Sequence, residues 1–294
     1  VELQQQKNQV KLHKGLVDGI ARALQQVFVE NSYTDKVLER LFKQNKQWGA
    51  RDRRLVAESV YDIVRHYRLL SFVAQSDKNF WFITPVYFLL KGYALPDWPE
   101  FKHVNQEQVL KLYHQSKSNF ALFNSWPDEL FNLCLSELGE TWYNEALALN
   151  KKATLAIRTN TLKTNTAQLK TDLLKEQVIA YEVKGVPGAL VINERRNLFS
   201  SHLFKEGHFE LQDPGSQQIG AFTAPAEKQV VIDACAGAGG KSLHLAALMN
   251  NKGKIISMDV AFWKLEELSK RAKRAGAYNI QTHLLEKDTI PEKF

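Results

Sequence analysis

The chain has 294 residues, 44% of them hydrophobic and 24% charged, which suits two or three compact globular units. No apolar run approaches the ~20 residues of a membrane span, and the first residues do not read as a secretory signal. Two widely separated cysteines, Cys134 and Cys235, make neither a disulfide framework nor a metal-ligand set. The expectation is a cytoplasmic, monomeric protein that uses no membrane and no metal. The net charge of +7 falls mostly in residues 151–294 (21 basic against 15 acidic), whereas residues 1–150 are nearly balanced (18 against 17). A mild positive surplus suits a polyanionic partner, because neutralising phosphates releases counterions.

Residues 1–150 read as helix throughout. Leu16, Ile20, Ala23, Leu24, Val27 and Phe28 fall at helical spacing, as do Val37, Leu38, Leu41 and Phe42. One amphipathic helix is predicted over 55–70, and further helices over 86–93, 106–117 and 127–138. Pro127 is placed at the first helical position of the last of these, and Cys134 on its apolar face. Between them Lys43, Lys46, Trp48, Arg51, Arg53 and Arg54 form a basic segment bearing one aromatic. Two readings stay open for it: a phosphate-contacting face with a stacking tryptophan, or a solvated helix end whose Trp48 packs locally.

From Ala153 the pattern turns to strands. Residues 154–160 alternate, 167–176 form a helix capped by Thr166, and 178–183 and 189–192 are strands split by Gly185, Pro187 and Gly188. Strand, helix, strand, strand opens a small ferredoxin-like unit. Arg158, Arg195 and Arg196 are its candidate phosphate contacts, against the plainer reading of surface charges. Residues 212–223 read as a linker and helix.

The run Val230, Val231, Ile232, Asp233 is a buried parallel strand that enters the loop Ala234, Cys235, Ala236, Gly237, Ala238, Gly239, Gly240, Lys241, with a helix over 242–249 behind it. Glycines let backbone amides approach a ligand, and a helix N-terminus adds unpaired N–H groups for an anion. A second strand over 254–258 delivers Asp259, an acid about 20 residues past the glycines and placed for ribose hydroxyls. The basic helix 264–275 (Lys264, Lys270, Arg271, Lys273, Arg274) is expected to solvate the outer face of the sheet. Gly276 stops it, a third strand follows over 279–284, and Asp288 lies in the loop beyond. His202, His208 and His244 have no partners at ligand spacing and read as structural or surface residues.

The loop Asp233-Ala234-Cys235-Ala236 followed by Gly239-Gly240-Lys241, with Phe209-Glu210-Leu211-Gln212-Asp213-Pro214-Gly215-Ser216-Gln217 upstream, resembles the RsmB/Nop2/Sun family of S-adenosylmethionine-dependent RNA cytosine-5 methyltransferases. Gly237-Ala238 stands where many members have Ala-Pro. The segment Lys46-x-Trp48-Gly49-Ala50-Arg51-Asp52-Arg53-Arg54 is similar to the NusB-like RNA-binding domain of some bacterial members. The resemblance implies three parts: an all-α NusB-like domain at 1–150, a small α+β ferredoxin-like connector at 151–212, and the first half of a Rossmann-like methyltransferase domain at 213–294. It implies S-adenosyl-L-methionine as cofactor, with Cys235, Ala236, Gly237, Ala238, Gly239, Gly240 and Lys241 around the methionine moiety, Asp259 on the ribose and Asp288 on the adenine. Lys241 would pair with the cofactor carboxylate or cap its own helix, and Asp288 would otherwise cap its loop. RNA, ribosomal RNA first, would meet Lys46, Arg51, Arg53, Arg54 and Arg158.

In the family a cysteine thiolate adds to C6 of cytosine and makes C5 nucleophilic. Those cysteines follow later strands, so the catalytic nucleophile is expected beyond Phe294, with Cys235 and Cys134 left to packing. The chain then reads as a piece of a longer enzyme, with Val230, Val231, Ile232 and Asp233 forming an exposed apolar sheet edge. One rival is a non-catalytic RNA-binding or ribosome-assembly factor that keeps the cofactor scaffold. Another is an NAD-dependent oxidoreductase, disfavoured because Gly237-Ala238-Gly239-Gly240-Lys241 lacks the third glycine of a dinucleotide loop.

Overall fold

The computed structural model describes residues 11–193 and 197–286, which divide into two compact units with the boundary between Lys151 and Lys152. The first unit is helical: α1 (Lys14–Phe28), α2 (Thr34–Gln44), α3 (Ala50–Arg65), α4 (Tyr67–Ala74), α5 (Phe80–Leu90), α6 (Gln106–Ser116), α7 (Phe120–Phe123), α8 (Asp128–Leu138) and α9 (Thr141–Leu149). Its main core joins Val17, Ile20 and Leu24 of α1 to Val56, Val60 and Ile63 of α3 and to Ile83, Phe88 and Leu90 of α5. That is the periodic apolar stripe of each helix turned inward.

Several sequence expectations are corrected here. The single helix expected over 55–70 is two, broken at His66, whose φ of −112° and ψ of 25° leave the helical region. The helix expected over 86–93 starts earlier, at Phe80, and carries Pro85 inside it, buried on nearly every side. Pro127 caps α8 from outside, and the helix starts at Asp128. The face around Cys134 is only partly covered: Phe131 is buried, but Leu130, Leu133 and Leu138 are exposed.

The second unit has two sheets. The first contains β1 (Ala156–Thr159), β2 (Ala180–Glu182), β3 (Ala189–Ile192) and β4 (Phe209–Leu211) in the antiparallel order β2-β3-β1-β4. This is the ferredoxin-like strand order, with α10 (Thr166–Lys175) crossing between β1 and β2 and only the short α11 (His202–Lys205) between β3 and β4. Asn165 rather than Thr166 caps α10, its Oδ1 accepting from the Gln168 N–H at 2.9 Å. The fourth strand is not among those the sequence predicts, because three residues are too few to show alternation. Ile157, Leu169, Leu173, Leu190 and Phe209 form the core on one face.

The second sheet is parallel, β5 (Val230–Asp233), β6 (Lys254–Asp259) and β7 (Ile280–Leu284), in the order β5-β6-β7. Helices α12 (Pro214–Thr223), α13 (Gly240–Leu248) and α14 (Phe262–Ala275) complete it. Among the described residues β5 is an edge with Val230 and Ile232 exposed, which fits the expected apolar edge and corrects the reading of this strand as buried. Among the described residues no helix is long and apolar enough to cross a membrane, and no group of three or more His, Cys, Asp or Glu is placed to hold a metal ion.

Candidate cofactor site at the end of the parallel sheet

The glycine loop lies at the C-terminal ends of β5 and β6, where open parallel sheets bind ligands. Gly237 and Gly239 take φ of +54° and +86°, which side chains other than glycine rarely adopt. A Cβ at Gly239 would lie 2.5 Å from Cγ of Leu268, so this residue is fixed by packing as well as by its backbone. At Gly237 and Gly240 a Cβ would meet nothing within 4 Å, so the loop borders open space on that side. The first-turn N–H groups of α13 have no acceptor within their helix and are available to an anion.

Asp259 ends β6 with its carboxylate largely buried. Its Oδ2 accepts from the Gly237 N–H at 2.8 Å and its Oδ1 from the Ala261 N–H at 2.9 Å. Burial works against ionisation, yet these backbone donors and the Lys264 ammonium 3.9 Å away hold the Asp259 carboxyl below the ordinary aspartate value. The residue is thus an anion at neutral pH, and it shapes the loop through the Gly237 N–H. Beneath the loop, Ser257 Oγ donates to Ser242 Oγ at 2.9 Å, and Ser242 Oγ donates to Asp233 Oδ2 at 2.7 Å. This chain ties both strand ends to the start of α13.

The structure gathers Cys235, Ala236, Gly237, Ala238, Gly239, Gly240, Lys241 and Asp259 in one place. Lys241 and Cys235 are exposed; Cys235 is therefore not the packed residue expected from its position. Asp288, Arg195 and Arg196 lie outside the described residues.

The basic residues divide differently from expectation. Arg158 is no surface phosphate contact. It is 2% exposed, and its guanidinium donates to the Gln212 side chain and to the Gly240 carbonyl, the latter at 2.9 Å. Burial pulls its pKa down to about 10, opposed by the nearby Glu210, so it stays charged at neutral pH. Trp48 is no stacking platform either: it is buried, and Gly19 of α1 sits so close that a Cβ there would lie 2.5 Å from the indole. Arg53 donates to the Trp48 carbonyl at 2.9 Å and the exposed Arg54 pairs with Glu58, whereas Lys46 and Arg51 are exposed without either tie.

The residue that sequence reasoning passed over is Glu210. It is 2% exposed and accepts from Arg271 at 2.8 Å and from Arg274, so these two arginines of α14 turn inward instead of solvating the sheet. The signal was present: an acid between Phe209 and Leu211 alternates onto the other face of its strand, and Arg271 and Arg274 at i, i+3 share one helix face.

His244, on α13, packs against Gly220, where a Cβ would lie 2.4 Å from Nδ1. Burial lowers its pKa from 6.5 to about 4, and the charge of Arg158 acts in the same direction. The folded state keeps the imidazole neutral while the unfolded chain takes up the proton near its ordinary pKa. Stability is therefore intact above about pH 6.5 and falls with acidification towards about pH 4, with a limiting slope of about 1.4 kcal/mol per pH unit. His244→Gln should remove this component, seen as a smaller drop in urea midpoint between about pH 7 and about pH 5 than in the parent chain. An equal drop in both would mean that His244 is not the titrating group.

The elements just described coincide with the stretch that matches known proteins. Residues 221–293 match the family model described as 16S rRNA methyltransferase RsmB/F. A probable ribosomal RNA small subunit methyltransferase B of Synechocystis is 27% identical over 178 residues, 60% of this chain and 40% of the relative. A 25S rRNA (cytosine-C(5))-methyltransferase, NSUN5, of Arabidopsis thaliana is 33% identical over 125 residues, 42% of this chain and 22% of the relative. The matched stretches thus span 40% or less of the length of these relatives. In fold, the crystal structure of PH0851 superposes with a TM-score of 0.72 at 21% identity, over 97% of this chain and 72% of that one. Over residues 221–293 the chain thus matches the RsmB/F methyltransferase family, and its helical first unit, antiparallel sheet and parallel sheet share the fold of the superposed crystal structure.

Proposed function

We propose that the complete protein methylates C5 of a cytidine in RNA, ribosomal RNA first, with S-adenosyl-L-methionine as donor. The observation that carries this reading is the buried, ionised Asp259 bound to the Gly237 N–H at the mouth of the parallel sheet, inside the segment that matches the family model. The open side of Gly237 and Gly240, the first-turn amides of α13 and the exposed Lys241 suit a ligand that carries a carboxylate beside a ribose. Lys241 and the loop amides would take the methionine end, and Asp259 the ribose hydroxyls. When bound, the cofactor supplies an electrophilic methyl group; the chain's own part is to seat and orient it. The cysteine adduct implied by the family is not assigned to Cys134, in the helical unit, or to Cys235, beside the loop. Lys46 and Arg51 are exposed cations of the first unit that RNA could meet.

Calorimetric titration of the 294-residue chain with S-adenosylmethionine, and with NAD as control, tests this. Binding of the former alone is expected, and a preference for NAD would overturn the reading. Asp259→Asn should weaken S-adenosylmethionine by about 10- to 100-fold, the range of a hydrogen bond to a charged group. An unchanged affinity would remove the ribose assignment.

A further inference from the structure

The glycine loop is gripped from behind by two guanidinium groups, one buried and one half-buried, that come from different layers of the second unit. Arg271 of α14 donates through Nη1 to the Ala238 carbonyl at 2.7 Å. Arg158 of β1 donates through Nη1 to the Gly240 carbonyl at 2.9 Å. Between them sits Glu210 of β4, directly opposite Arg158 in the β1–β4 register, accepting from Nε of Arg271 at 3.2 Å and from Nη2 at 2.8 Å.

Each carbonyl belongs to a planar peptide whose N–H points the opposite way. Fixing the Ala238 carbonyl fixes the Gly239 N–H, which closes the turn onto the Ala236 carbonyl at 2.9 Å. Fixing the Gly240 carbonyl fixes the Lys241 N–H, one of the first-turn donors of α13. The Gly239–Gly240 peptide lies between two pinned neighbours. Gly237 and Gly239 give this segment a backbone with few intrinsic restraints, so its shape depends on what holds it.

We propose that Arg271 and Arg158 are positioning residues that preset the loop for the methionine end of the cofactor, with Glu210 as the anion that keeps Arg271 aimed. The small antiparallel sheet is thereby part of the cofactor site, although none of its residues need touch the ligand. The consequence for ligand binding rests on the function proposed above; the grip on the loop does not.

Arg271→Lys separates the two roles. A lysine keeps a positive charge for Glu210, but one ammonium cannot reproduce the fork that serves Glu210 and Ala238 together. Arg158→Lys applies the same logic to Gly240 and serves if the first variant folds poorly. Hydrogen exchange of the amides of residues 236–241 is measured in the ligand-free chain, and calorimetric affinities are measured for S-adenosylmethionine and for adenosine, which lacks the methionine end.

In Arg271→Lys, exchange at Gly239 should rise by about tenfold while β6 amides keep their protection, S-adenosylmethionine should weaken by about tenfold, and adenosine should change by less than about twofold. Unchanged loop exchange would overturn the positioning role. Faster exchange with unchanged S-adenosylmethionine affinity, or equal losses for both ligands, would overturn its bearing on the methionine end. If the parent chain binds neither ligand, the functional reading fails, and the exchange data still decide whether the arginines hold the loop.

Discussion

Glu210→Ala is expected to destabilise the second unit by roughly 3–5 kcal/mol, the usual cost of removing one partner from a buried ion pair. The carboxylate is 2% exposed and faces Arg271 and Arg274, with Arg158 opposite it on the next strand. Without it, the buried Arg158 and the half-buried Arg271 and Arg274 lose the carboxylate they converge on, and their desolvation is no longer offset. Glu210→Gln keeps an acceptor of the same shape and should fall between the two. The exposed pair of Lys252 with Glu227, at 2.9 Å, is the control: Glu227→Ala should change stability by about 1 kcal/mol or less, because solvent screens it. Urea unfolding, with β6 amide exchange reporting the second unit, measures all three. If Glu210→Ala costs no more than Glu227→Ala, the buried network does not hold the two sheets together.

The same network explains what the sequence did and did not disclose. The strand-loop-helix from Val230 to Leu248 was legible, because an apolar run, positive-φ glycines and a helix start are all encoded locally. So was the opening of the ferredoxin-like unit, marked by turn residues between β2 and β3, but not its fourth strand. Arg158 was misjudged, and Trp48 left between two readings, for one shared reason. A charge or an aromatic is read as exposed or buried from its neighbours in sequence, whereas here the deciding neighbours are distant: Glu210 and Gly240 for Arg158, Gly19 for Trp48. The basic helix α14 failed in the same way. Its composition describes a solvated face, and only the sheet opposite turns two of its arginines inward. Residues that join layers carry no local periodicity, and that is where single-sequence reasoning runs out.

Gly207→Ala is expected to cost roughly 2–5 kcal/mol, as left-handed backbone strain and overpacking act together. Gly207 follows α11 with φ of +76°, and its Cα lies against the last turn of α14. A Cβ there would be 2.2 Å from the Arg274 carbonyl oxygen and 2.8 Å from its carbonyl carbon, backbone atoms that no rotamer change can clear. The same spot is stitched by side chains. Asn160 donates to the carbonyls of Gly207 and Ala275, both at 2.7 Å, and Lys163 donates to those of Glu206 at 2.6 Å and Arg274 at 2.7 Å. Orphan carbonyls at the end of α14 thus find partners on the loop after β1, and a lysine sits at the negative end of the helix. Moving α14 away by about 1 Å to admit a methyl group would stretch all of these bonds and the Arg271 and Arg274 contacts with Glu210. Gly185→Ala supplies the comparison, since Gly185 has φ of +78° but open space around it. It should lose only the strain, about 1–2 kcal/mol. The difference between the two glycines isolates the close approach of α11 and α14, and equal costs would mean that the contact yields freely and that Gly207 is required for its backbone angle alone.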